Sequence, residues 1–163
     1  MREFNSFGAF AGHLLEIQLA EAFAMHEGLK AVGEHVEAVA KSEIGFYQEA
    51  VGPFPAWEPL ADSTEAEKAR LGYQPDAPLL RDGDLRDSYG NEVEVLDAII
   101  GSTSDIAVYQ EIGTPTIPPR PVLGPAALHS QEFIEATIGA AAVSGIIGSD
   151  RIHKGLGYDF DVG

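Results

Sequence analysis

Apolar residues Leu15, Leu19, Ala22, Phe23, Leu29, Val32, Val36 and Val39 recur at steps of three and four, the spacing of one helical stripe. Glu16, Glu21, Glu27, Lys30, Glu34, Glu37 and Lys41 fall mostly off that stripe. The pattern predicts one helix over residues 8–42, about 50 Å long at 1.5 Å per residue. Gly28 and Gly33 each cost up to about 1 kcal/mol against Ala, so packing rather than propensity must hold it. Such a helix is long enough to reach a neighbouring subunit.

Beyond it the period changes. Residues 45–78 read as an extended loop, because Gly52-Pro53-Phe54-Pro55 and Trp57-Glu58-Pro59-Leu60 are punctuated too heavily for regular structure. Within the loop, Asp62, Ser63 and Thr64 offer caps for a short helix over residues 65–71, which Gly72 ends. Trp57, Phe54 and Tyr73 predict that the loop docks against something.

Residues 79–112 read as strand-forming. Leu85 to Tyr89 leads to Gly90-Asn91, a turn dipeptide, while Glu92-Val93-Glu94-Val95 alternates and residues 97–102 form a short apolar run. Residues 106–111 fit either a strand or a helical turn. Four prolines in the seven residues 115–121 remove four backbone donors, so residues 113–121 must be a rigid extended elbow. A second helix follows to residue 143, and residues 148–163 read as an irregular tail or one edge strand. The result is a single α+β domain: a small antiparallel sheet packed by a long N-terminal helix and a second helix, with a long irregular loop.

Charge alters the picture more than composition does. Ten basic against 26 acidic residues give a net charge of −16, which removes the clustered cations that phosphate neutralisation requires. Two readings stay open: a solvated acidic surface, as in a salt-adapted proteome, or a surface that must not hold passing nucleic acid. The absence of cysteine excludes disulfides, thiolate metal sites and cysteine nucleophiles. The N-terminal stretch lacks the apolar core and small-residue cleavage site of a signal peptide. The weakly polar run over residues 137–148 is too short to span a bilayer, which takes about 20 residues.

Catalytic chemistry finds little support. His13, His26, His35, His129 and His153 show no metal-site spacing. Asp82, Asp84 and Asp87 resemble a fragment of a calcium loop without its closing Glu, and are the basis of one alternative, a small acidic metal-dependent hydrolase. Lys154-Gly155-Leu156-Gly157 lacks the strand–turn–helix setting of a phosphate cradle. A further alternative is a stand-alone adaptor that binds one partner through residues 54–73. No cofactor is expected.

Two blocks carry a resemblance. The first, Pro78-Leu79-Leu80-Arg81-Asp82-Gly83-Asp84-Leu85-Arg86-Asp87-Ser88, has the form PLL..G.L..S. The second is Tyr109-Gln110-Glu111-Ile112-Gly113-Thr114, followed by Ile117-Pro118-Pro119-Arg120-Pro121 and by residues 123–126. With Trp57-Glu58-Pro59-Leu60 and Thr64 ahead of them, their order resembles the virion-morphogenesis, or tail-completion, proteins of long-tailed phages. The resemblance covers residues 57–143. Val122 departs from the aromatic usual after the Arg-Pro pair, and the Gly-rich tail departs as well.

The resemblance implies a minor neck protein, a head–tail joining subunit of the virion assembled in the host cytoplasm. Copies would form a ring, hexameric by analogy, around the DNA channel between the connector or stopper and the tail terminator or tube. Six copies would carry six times −16, or −96, so DNA would slide through the lumen unheld, and no membrane is involved. Candidate interface residues are Trp57, Glu111, Pro118, Pro119, Arg120 and Pro121. Arg120 has two readings: a bidentate pin to a neighbour's carboxylate, or a cap on its own fold.

Overall fold

The computed structural model describes residues 4–147. Six helices and one two-stranded antiparallel sheet make up the described chain: α1 (Phe7–Glu43), α2 (Asp62–Arg70), α3 (Asp84–Asp87), β1 (Tyr89–Val93), β2 (Ala98–Ser102), α4 (Asp105–Ile112), α5 (Leu123–His129) and α6 (Gln131–Ile147). The class is α+β, as the pattern predicts. Residues 148–163, with His153 and the Lys154-Gly155-Leu156-Gly157 stretch, lie outside the described residues.

The chain groups into two compact units. The first takes residues 4–32, 93–97 and 133–147 of the described chain, and the second takes residues 33–92 and 98–132. Helix α1 contributes to both.

In the first unit, Ser6 starts α1 by accepting from the Ala9 N–H (3.1 Å), an N-cap bond. The middle of α1 and α6 approach so closely that small residues are required. A Cβ on Gly28 would lie 2.9 Å from that of Ala141, and one on Gly145 would lie 2.5 Å from Glu21 Cα. The contacts run in opposite chain order, so the helices are antiparallel. His26 Nδ1 meets the Glu94 carbonyl (3.3 Å) and ties the hairpin turn to α1. Among the described residues, the buried apolar side chains of this unit are Val32 and Ala141.

The second unit holds the larger core, built from Val36, Ala40, Ile44, Trp57, Ala77, Tyr89, Ala107, Val122 and Ala126. Helix α1 stops where Gly45 turns left-handed (φ 102°) and its N–H bonds the Pro78 carbonyl (2.9 Å). Gly33 leaves room for Asn91, whose amide donates to the Glu37 carboxylate. Lys41 pairs with the same carboxylate at 2.6 Å, and the two partners hold it below the ordinary Glu range. The terminus of α2 is a Schellman motif: Tyr73 N–H bonds Lys68 O (2.9 Å), Gly72 N–H bonds Ala69 O (3.1 Å), and Gly72 sits at φ 82°.

Several local expectations need correction. Gly90-Asn91 is not a turn but lies inside β1, because Asn91 is used against α1. The turn falls instead over residues 94–97, closed by Glu94 N–H to Asp97 O (2.9 Å). The stretch from Leu85 becomes the one-turn helix α3, and residues 106–111 fall within helix α4. The single second helix divides at Ser130 into α5 and α6. Helix α2 begins at Asp62 with Ala61 as N-cap and no side-chain cap, so Asp62, Ser63 and Thr64 do not cap it.

Candidate interaction site

The proline elbow is built from α4 outward. Ser104 caps α4 by accepting from the Ile106 N–H (3.3 Å), and Gly113 (φ 72°) ends it. A Cβ there would lie 3.0 Å from Ile117 O and from Pro119, so glycine alone fits. Thr114 and Ile117 then pair backbone to backbone (2.9 and 3.3 Å), and Thr114 Oγ1 accepts from the N–H groups of Thr116 (3.3 Å) and Ile117 (3.1 Å). The chain folds back on α4 through Arg120 N–H to Gln110 O (2.6 Å).

The predicted interface residues meet at this fold-back. Glu111, at the end of α4, accepts from the N–H groups of Val122 (2.8 Å) and Leu123 (2.7 Å) through one carboxylate oxygen. It thereby caps α5, which has no cap of its own, with a negative charge at the helix N-terminus. Trp57 is 5% exposed, and its indole N–H donates to Pro121 O (3.2 Å). Arg120 is 6% exposed, and its Nη2 donates to the carbonyls of Glu58 (3.0 Å) and Pro59 (3.3 Å). The guanidinium takes the inward of its two readings, binding its own loop. Pro121 is buried, Pro118 half-buried and Pro119 exposed.

The Pro78 block also works internally. Pro78 is fully buried, Leu80 packs where Gly45 leaves space, and Gly83 (φ 103°) starts α3. Ser88 Oγ bonds Leu85 O (2.6 Å) and Ser102 Oγ (2.7 Å), joining α3 to β2. Leu79 is the one non-glycine with positive φ (62°) among the described residues, a conformation costing about 1–2 kcal/mol.

A cavity of about 690 Å³ lies in this unit, lined in part by Glu58, Lys68, Leu79, Arg81, Asp82 and Arg120. Lys68 is buried, which lowers its pKa, and it donates to Ala77 O (2.5 Å). Arg81 sits over the Tyr73 ring at 5.2 Å. Asp82 Oδ1 accepts from the Asp84 N–H (3.2 Å), and Asp87 pairs with Arg86 (3.2 Å). Among the described residues, no group of three or more His, Asp or Glu is placed to hold a metal.

Two further perturbed ionisable groups lie elsewhere, in the core. Burial raises the Glu43 carboxyl above its ordinary pKa against the opposing effect of His129, 2.9 Å away. Tyr89 is pushed far above the usual phenol range by burial and by the Glu111 and Glu43 charges. Neither Glu43 nor Tyr89 lines the 690 Å³ cavity.

Residues that sequence reasoning missed as surface features are apolar. Phe7, Leu15, Leu19 and Phe23 on α1 are exposed, as are Ile106, Val108, Tyr109 and Ile112 on α4. The elbow bonds α4 through Gln110 and Glu111, while Ile106, Val108, Tyr109 and Ile112 stay exposed. The available signal was charge: residues 7–26 contain only Glu16 and Glu21 of the 26 acidic residues, and no Lys or Arg. No described helix is long and apolar enough to cross a membrane. Comparison with protein-family models, with curated proteins and with solved structures finds no match for this chain.

Proposed function

We propose that this chain is a non-enzymatic structural subunit of a phage neck, a tail-completion or head–tail joining protein that assembles as a ring around the DNA channel. The observation that carries this reading is the uncovered apolar surface on α1 and α4 of a chain with net charge −16. Exposed apolar faces on a strongly acidic protein are what a subunit destined for burial against other protein needs. The ordered pair of sequence blocks supplies the family resemblance, both blocks fall within the second unit, and the second of them forms the elbow. The acid excess suits a lumen through which DNA passes without being held. Neighbours in the assembly would be the connector or stopper and the tail terminator or tube.

Light scattering and negative-stain imaging of the purified protein, alone and with tail tubes, test the proposal. Ring-sized particles that add to tube ends are the expected result. A strict monomer that never joins a tube overturns it.

A further inference from the structure

Lys68 and Arg120 are buried cations in the lining of the 690 Å³ cavity, 9 and 6% exposed. Every residue of that lining falls within the second unit. The chain has 26 acidic residues, yet among the described residues neither cation is ion-paired with a carboxylate. Lys68 bonds the Ala77 carbonyl, and Asp76 and Glu65 act on it only from farther off. Arg120 uses Nη2 on the Glu58 and Pro59 carbonyls, and its enclosed Nε has no partner among the described residues. Gln110 Oε1, a side-chain atom of the same lining, is likewise enclosed and unpartnered. Buried cations and buried polar atoms are ordinarily paired, so this lining is incomplete as the chain alone builds it.

We propose that the cavity is a binding site for a carboxylate carried on a short aliphatic chain, with Arg120 and Lys68 receiving the carboxylate. The rest of the lining suits the chain: Leu60, Leu71, Leu79, Leu80, Leu85 and Ile117 are apolar. The volume lies in the range of small-ligand sites, about 300–1,000 Å³. A carboxylate oxygen gives Arg120 Nε its missing acceptor in a charge-assisted bond. Nε is enclosed, so a side chain of the lining must rotate to admit that oxygen, a change of the kind common on binding. Charge limits the ligand to a monoanion. Glu58, Glu67, Asp82 and Asp84 also line the cavity, all four exposed, and they repel a phosphate or a nucleic-acid strand more strongly. Arg81, exposed and held over the Tyr73 ring at 5.2 Å, adds a third cation to the lining. A free alkanoate and a glutamate within an apolar peptide segment share this chemistry.

Titration calorimetry of the full chain tests this with octanoate, octylamine, octyl phosphate and a capped Leu-Glu-Leu peptide. Octanoate or the peptide should bind with a dissociation constant below about 1 mM, and the tighter of the two identifies the source. Octylamine and octyl phosphate should bind at least about tenfold more weakly than that probe. Lys68→Met keeps the aliphatic stem and removes the charge, and should weaken the same probe about tenfold. Thr64→Trp, at an exposed position of α2 in the lining, fills the cavity without touching a charge and should weaken it at least as much. Should Lys68→Met lower the unfolding midpoint, Thr64→Trp is read alone by the same criterion. If neither octanoate nor the peptide binds, if octylamine or octyl phosphate binds as tightly, or if Thr64→Trp keeps the parent affinity, the proposal is overturned. Self-association and tube binding do not enter this readout, so the site and the neck reading stand or fall separately.

Discussion

The two ends of α1 have the same apolar spacing and opposite fates. Leu15, Leu19 and Phe23 lie in solvent, while Val32, Val36 and Ala40 are buried, Val36 to 4% exposure. Around Val36 the second unit supplies a core with an indole, a phenol and a clamped loop. Near Phe23 the first unit supplies α6, whose small residues let the backbones approach at Gly28 and Gly145. The close approaches of α6 fall at Glu21 and Gly28, and residues 7–19 are exposed on nearly every side among the described residues. Periodicity therefore marks which positions need covering, and the neighbouring element decides whether the chain covers them itself.

The largest effect should come from the clamp that gives the second unit its core. Trp57→Ala removes a buried indole and its bond to Pro121 O, and should lower unfolding free energy by about 3–5 kcal/mol in a denaturant titration. A loss under about 1 kcal/mol would mean that the loop is not part of that core.

The two ends of α1 can be compared directly by the same measurement. Val36→Ala should cost about 1–3 kcal/mol, through lost burial and a residual cavity. Leu19→Ala should change monomer stability by no more than about 0.5 kcal/mol. Equal costs would erase the contrast.

A smaller effect is expected where the elbow meets α5. Glu111→Ala leaves the Val122 and Leu123 N–H groups without their acceptor and should cost about 1–2 kcal/mol, measured by thermal unfolding. Glu111→Gln, which keeps an acceptor oxygen but not the charge, should recover part of the loss.

The smallest effect is one of pH. Because the folded Glu43 pKa is raised above the ordinary 4.5, its contribution to stability is full below that value and is lost as pH rises through the folded pKa. Glu43→Gln should therefore gain on the parent between about pH 4 and about pH 7, seen as a growing difference in unfolding midpoint. A constant difference across that range would show that burial does not control the carboxyl. Glu37 has the opposite sign: its lowered pKa gives stability that is lost as pH falls below 4.5.

Long helical periods and glycine stops were legible in advance, because one repeats over many residues and the other is a local backbone matter. Helix α1 differs from expectation by one residue at each end, and Gly72 ends α2 as predicted. Gly90-Asn91 misled because the same dipeptide that favours a hairpin turn can also serve a close helix–strand contact. The break at Ser130 carried no proline or glycine to announce it. Its hydroxyl bonds the Ala126 carbonyl (2.7 Å), a buried local bond invisible to hydrophobic pattern. At the elbow, the sequence picked out Trp57, Glu111 and Arg120, and the fold brings them to one place. It could not choose between an inward and an outward Arg120, since that depends on carbonyls more than 60 residues away.

Local chemistry in the chain is thus enough for the α+β class, the long helix and the acidic balance, because each follows from spacing or simple charge. The proline segment, expected to be extended, instead turns back between Thr114 and Ile117. Which apolar residues are core and which are surface was settled only by tertiary packing. Burial depends on what a remote segment places opposite each side chain: small residues at Gly145 and Ala141 for one end of α1, and a large clamped core for the other.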